Sequence, residues 1–216
     1  MRKTALLFIL LSTTLFASAQ NKPVKFNQVL ADSLKSMVVV DQIAASIPKG
    51  KYKELSKEEW QHYKDSVFGT HQQILAKIFH QYGYPGFDLV GKEGSNNFWL
   101  MVQHCDKTPA FQKEILEAMK PQVDKGNAAP KDYAYLVDRV GLNTGGKQVY
   151  GTQVTYNLNV CQAIPRPLSD SLTVNTRRKE VGLEPIEKYL NTMSELHFEM
   201  NKAMYEQKGI TKPKLY

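Results

Sequence analysis

From Phe26 to Ile47, apolar residues recur three and four apart: Phe26, Val29, Leu30, Leu34, Met37, Val40 and Ile43 or Ala44. That spacing predicts one helical stripe, and Pro48 with Gly50 ends it. In the charged run KYKELSKEEWQHYKD, Ser56 with Glu59 forms a capping box that opens a second helix. A break is expected near Gly69. Beyond it Leu75, Ile78, Phe79 and Tyr82 carry a helical stripe to Gly83, a natural residue just past a helix end. GYPGFDLVG, residues 83–91, reads as a loop dense in glycine and proline. NNFWLMVQHCD, residues 96–106, is apolar on nearly all sides through Val102, which predicts a central, buried helix. Thr108 with Pro109 opens the next helix, whose inward stripe is Phe111, Ile115, Leu116 and Met119. Ala129-Pro130 opens another, with Tyr133, Leu136, Val137 and Val140 facing inward.

NTGG, residues 143–146, is a strong turn signal, and KQVYGTQVTYNLNV behind it alternates as a strand or hairpin does. PRPLSD reads as an extended connection. Asp170 or Ser171 precedes a charged helical segment, NTRRKEVGL, interrupted by Gly182. Pro185 opens a last helix with Ile186, Tyr189, Leu190, Met193, Leu196 and Met200 on one face, and the tail KGITKPKLY is polar and expected to fray. The sum is a mainly α chain of about six helices with one small β-hairpin or strand pair. A single domain is expected over residues 26–205, between a flexible 20–25 and a polar tail at 206–216.

The N-terminus adds a destination. Arg2 and Lys3, the apolar run Ala5–Leu11 and the small-residue site Ala17-Ser18-Ala19 have the three-part layout of a secretory signal over residues 1–19. The apolar run is well short of the ~20 residues a membrane span needs, and no later segment resembles one. Export to the periplasm or the medium is the expectation. Removing Arg2 and Lys3 lowers the formal charge from +7 to +5. The remaining lysines are scattered, without a basic block, so a nucleic-acid partner is not expected. In an oxidising compartment Cys105 and Cys161 either pair in a disulfide, contributing ~4 kcal/mol in the chain-entropy view, or remain buried free thiols. Neither CxxC nor HxxxH spacing is present, so no metal site is expected, and no cofactor motif occurs.

The candidate chemistry lies in polar residues among apolar ones. His62, His71, His80 and His197 read as solvated. His104 differs, because it ends a deeply apolar run and its ring should rest on packed surface, either as a general base or ligand donor, or as a satisfied core histidine. Gln103 and Asp106 flank it, and Asp106 has the alternative of capping the helix that follows. Asp138 and Arg139 are neighbours on a helix and point apart. In QVYGTQ, strand alternation would put Gln148, Tyr150 and Thr152 on one face, Gln153 with Val149 and Gly151 on the other. Arg177 and Arg178 have the fork geometry for carboxylates and phosphates.

Taken together, GYPGFDLVG, WLMVQHCD, YAYLVDRV, GGKQVYGTQ and NTRRKEVGLEPIEKYL resemble an uncharacterised bacterial family, the domain of unknown function 6624 family, from about Asp41 to Met193. The resemblance puts His104, Asp106, Asp138, Arg139, Gln148, Tyr150, Gly151, Thr152, Gln153, Arg177 and Arg178 on the family's signature positions. It supplies no activity. In the family's pattern an arginine commonly follows an early DQ pair. Here Asp41-Gln42 is followed by Ile43-Ala44-Ala45, which counts against the first helix supplying charge to a site. Two expectations follow. In one, His104 is the acid/base, Asp138 its orienter or a second acid, and the arginines clamp a small anionic or polar ligand for hydrolysis by an activated water. Gln103, Asp106, Gln148, Tyr150, Thr152 and Gln153 would complete that site. In the other, the protein is a non-catalytic envelope protein. The same residues form a sealed structural network and the surface binds a protein partner.

Overall fold

The computed structural model describes residues 25–216, so the expected signal segment at 1–19 lies outside the described residues. Among the described residues the chain forms eight α-helices and one two-stranded antiparallel sheet, a mainly α fold. Helix α1 (Gln28–Ala45) starts at Asn27, whose side chain accepts from the Leu30 amide. Helix α2 (Lys57–Tyr82) starts at the Ser56/Glu59 capping box, as its sequence predicts. It runs through Gly69 without the expected break, since Gly69 has helical neighbours on both sides and costs only about 1 kcal/mol relative to alanine.

Helix α3 (Phe87–Gln103) begins inside the segment predicted to be a loop. Its first amides are satisfied from about forty residues away: Phe87 N–H donates to the Asn127 carbonyl and Asp88 N–H to the Asn127 side chain. No local cap announces the start. Gly91, at φ +72°, kinks the helix four residues in. Helices α4 (Pro109–Asp124) and α5 (Pro130–Asn143) each begin on the proline expected at the first turn, although the Thr108 hydroxyl donates to Cys105 O instead of capping α4.

These five helices enclose the main core. Leu34 of α1, Leu75 of α2, Phe98, Met101 and Val102 of α3, Ile115 and Met119 of α4 and Leu136 of α5 are almost fully buried. Each such side chain contributes about 1.5–3 kcal/mol by leaving water.

The second half is smaller. Strands β1 (Val154–Asn157) and β2 (Gln162–Pro165) pair with Val154 opposite Pro165 and Asn157 opposite Gln162. They pack on α7 (Ile186–Met200), with α6 (Val174–Glu180) and α8 (Lys202–Gln207) beside it. Ala163, Val174, Ile186 and Leu190 form one small core, and Cys161, Phe198 and Tyr205 another. The polar tail is not frayed: Lys214 N–H donates to Val160 O, Tyr216 N–H to Asn191 and the Tyr216 hydroxyl to Ala163 O. Cys105 and Cys161 are free, buried thiols in separate cores, so the disulfide alternative is not realised. No helix among the described residues is long and apolar enough to cross a membrane.

The loop that joins the halves depends on Gly151. Its φ is +69°, and a Cβ there would lie 2.6 Å from Ile186 Cδ1 and 3.2 Å from Leu168 Cδ2. Gly151→Ala is expected to cost about 1–3 kcal/mol through strain and overpacking together. A lowered urea midpoint at unchanged slope would register this; an unchanged midpoint would contradict it.

Candidate functional site

The residues singled out in the sequence divide into two groups. The first is sealed. Asp138, fully buried on α5, accepts from the amides of Val149 (2.7 Å), Tyr150 (2.9 Å) and Thr152 (2.8 Å) and from the Thr152 hydroxyl (2.9 Å). Those amides would otherwise feed a strand ladder. QVYGTQ is therefore not the predicted strand, and regular pairing begins only at Val154, where the reach of Asp138 ends. Gln148, also fully buried, donates to the carbonyls of Gln153 and Arg166 and accepts from the Gln153 amide. Arg178 is 1% exposed, donating to the carbonyls of Glu184 (2.6 Å) and Tyr150 (2.7 Å), with its guanidinium 5.0 Å from the Tyr189 ring centre. Arg177 donates to Val149 O and pairs with Asp170. The arginines grip main-chain carbonyls and a surface carboxylate. They do not form an anion clamp, and Asp138 does not orient His104.

The second group is open on one side, and its central acid comes from the helix that the sequence argued against. Asp41, at 0% exposure on α1, accepts from His104 Nδ1 at 2.6 Å and lies 3.5 Å from His71 Nδ1. Burial pushes its carboxyl up, but the hydrogen bonds from His104 and His71 and the His104 charge outweigh that, holding it below its ordinary 3.8. His71 is buried, contrary to the solvated reading. A signal for both existed: Asp41 falls between Leu34 and Ala44 on the buried stripe of α1, and His71 lies one turn before Leu75 on that of α2. A polar residue in register with an apolar stripe was the available clue.

His104 is the residue just past the end of α3, and its ring rests on Phe68 of α2 with centres 5.0 Å apart. In the neutral imidazole with Nδ1 donating to Asp41, the lone pair is on Nε2. A cleft of about 250 Å³ opens there, lined by Gln61, Phe68, Gln72, His104, Cys105 and Lys107 among others. Cys105 is no nucleophile. Its thiol donates to Met101 O, and burial, with Asp41 and Asp106 adding, pushes it up to about 12. Lys107 reaches Asp65 at 2.7 Å across the mouth.

Asp106 does not cap α4. It joins α3, α4 and α5 by accepting from Arg139 (2.7 Å), Asn143 (2.8 Å) and Gln112 (3.2 Å). Burial raises its carboxyl, and the Arg139 charge and these bonds more than reverse the effect. Arg139 also donates through Nε to Gln103 Oε1 at 3.0 Å. Gln103 is 5% exposed, and its Nε2 is buried without a partner. Such an orphan donor costs about 1–3 kcal/mol. On this side a groove of about 400 Å³ runs between α3, α5 and the hairpin half, and Gln103, His104, Arg139, Thr152 and Gln153 all line it. Five of the eleven sequence candidates thus share one concavity, while Asp138, Gln148 and Arg178 do not reach it. The Tyr150 side chain is half-buried and lines neither concavity. Among the described residues no group of three His, Cys, Asp or Glu is placed to hold a metal ion.

Fold and site define a mainly helical protein with a histidine–aspartate pair at the wall between two concavities. The chain belongs to the family of unknown function DUF6624, whose profile matches residues 33–200, a span that includes Asp41, His71, His104 and the sealed loop. No curated protein and no solved structure matches it.

Two substitutions separate the groups. Asp138→Ala strands three amides in a buried loop and is expected to cost at least about 3 kcal/mol. Asp41→Asn loses charge-assisted bonds worth about 1.5–3 kcal/mol at neutral pH. Because the Asp41 carboxyl is lowered on folding, its stabilisation is fully present above 3.8 and is lost as pH falls through the folded-state value. Urea titrations across pH should therefore show the gap between wild type and Asp41→Asn closing on the acid side. A gap that stays constant to low pH would contradict the assignment.

Proposed function

We propose that this is an exported protein that binds a small polar or anionic ligand at His104 and activates water against it. The observation that carries the reading is the 2.6 Å contact between His104 Nδ1 and the fully buried Asp41 carboxylate, with the ring at the wall of a cleft. Asp41 fixes one tautomer, so that Nε2 accepts a proton from water. The carboxylate then stabilises the imidazolium that forms. Phe68 packs against the ring at 5.0 Å, and His71 Nδ1 lies 3.5 Å from the other carboxylate oxygen. Hydrolysis fits better than covalent catalysis, because the one thiol in the cleft is kept protonated and its hydroxyl, Thr108, donates to the main chain. The Arg2–Ala19 pattern supports export, and the scattered charge of the mature chain is compatible with a periplasmic or secreted protein. The structural-network reading is favoured for the Asp138 group alone, where every partner is internal.

The test is a heat-shift screen of the mature protein against anionic metabolites and cell-wall fragments, followed by product detection on each hit. A stabilising ligand that is turned over by wild type, with turnover lowered about 10²–10⁴-fold in a normally folded His104→Ala, is the expected result. If nothing shifts the wild type and His104→Ala is merely less stable, the pair is architecture and the proposal fails.

A further inference from the structure

We infer that the groove between α3, α5 and the hairpin half takes a ring compound bearing a carboxylate, and that Gln103, Trp99 and Arg139 recognise the carboxylate. This deepens the reading above and rests on it for the presence of a ligand. It is carried by different atoms, in the groove that shares His104 with the cleft at Phe68.

Three features point to that chemistry. The first is the orphan amide. Arg139 Nε can only donate, so the Gln103 atom it meets at 3.0 Å is the oxygen. The amide orientation is thereby fixed, and the unpartnered atom is the NH2 group, buried at the groove wall. The second is a matching donor one helical turn back. Trp99 Nε1 is likewise buried without a partner, and Trp99 lines the same groove. Residues four apart on α3 lie on one face, so the two side chains are neighbours, and both donor atoms are buried. The third is Arg139 itself. Nε and Nη1 are engaged by Gln103 and Asp106, while Nη2 has no partner among the described residues. All three groups donate and none accepts. Their complement is a group that accepts; the Arg139 charge favours an anion there, and a carboxylate brings two accepting oxygens to the donors.

The rest of the groove fits a ring. Trp99 meets Tyr135 edge-to-face with centres 6.1 Å apart at 83°, and Tyr135 meets Tyr189 in the same way at 6.4 Å and 86°. Tyr156 and Met193 extend the apolar wall. A volume of about 400 Å³ suits a small ligand. A sugar acid and an aromatic acid share this chemistry: a face to stack on the aromatic wall and a carboxylate for the donors.

The experiment is calorimetric titration with D-glucuronate and with 4-hydroxybenzoate, each paired with a neutral counterpart, D-glucose and methyl 4-hydroxybenzoate. At least one acid should bind saturably, and at least tenfold more tightly than its neutral partner; which acid binds separates the sugar from the aromatic source. Gln103→Glu keeps an oxygen for Arg139 but sets a carboxylate where the amide donor stood, so binding of that acid should fall at least tenfold. Trp99→Phe keeps a ring and drops one donor, weakening binding several-fold, and it decides the matter if Gln103→Glu does not fold. The inference is overturned if neither acid binds at about 10 mM, well above a 1 mM dissociation constant, if neutral partners bind equally, or if a folded Gln103→Glu binds like wild type. Binding is read here without turnover, so this inference and the chemistry at His104 fail separately.

Discussion

The carboxylate of Asp138 holds the two halves of the protein together. It projects from α5 of the five-helix core and collects three amides and a hydroxyl from residues 149–152, which belong to the hairpin half. A loop that runs inward has to satisfy its N–H groups somewhere, and a single buried carboxylate with about four acceptor positions satisfies them at one point. The opposite side of the same loop offers carbonyls, and Arg177 and Arg178 take those of Val149 and Tyr150. An acid and two guanidiniums thus replace the sheet that the loop cannot form. The positive φ of Gly151 lets the chain reverse within that clasp without meeting Ile186.

Asp41 has the same composition of environment, a fully buried carboxylate, with a different outcome. Its partners are two imidazoles and the Gln42 side-chain amide, with no backbone amide among them. The three backbone amides and the threonine hydroxyl around Asp138 include no group that titrates near neutral pH. The carboxylate held by His104 has a partner that can gain or lose a proton at its other nitrogen. The separation of roles between two buried aspartates follows from what faces them and not from their own exposure.

The helical half was largely legible because its stripes are long and its punctuation is local. Ser56 with Glu59, Pro109 and Pro130 each start a helix where the sequence places the start. The start of α3 was not legible, because its cap is Asn127, distant in the chain. QVYGTQ has strand alternation and is captured by Asp138 before it can pair, a tertiary contact that overrides local propensity. His104, Gln103, Arg139, Thr152 and Gln153 could be picked out as polar residues near apolar runs, and they do converge. Asp41 and His71 are masked in the sequence by the uncharged residues that follow Asp41 and by the charge around α2. The stripe positions of both residues carried the information.

The groove lies beside the clasp. Asp138 and Arg139, adjacent on α5, face different sides, Asp138 the loop at residues 149–152 and Arg139 the groove. Asp138 closes the seam. Arg139 turns toward the end of α3, where it orients Gln103 and holds Asp106. The polar residues at the open side are thereby fixed by bonds among themselves, with donors left over. A structural network that seals itself, as the Asp138 network does, has no leftover donors to explain. The buried amide nitrogen of Gln103, unlike the carboxylate of Asp138, has no partner among the described residues.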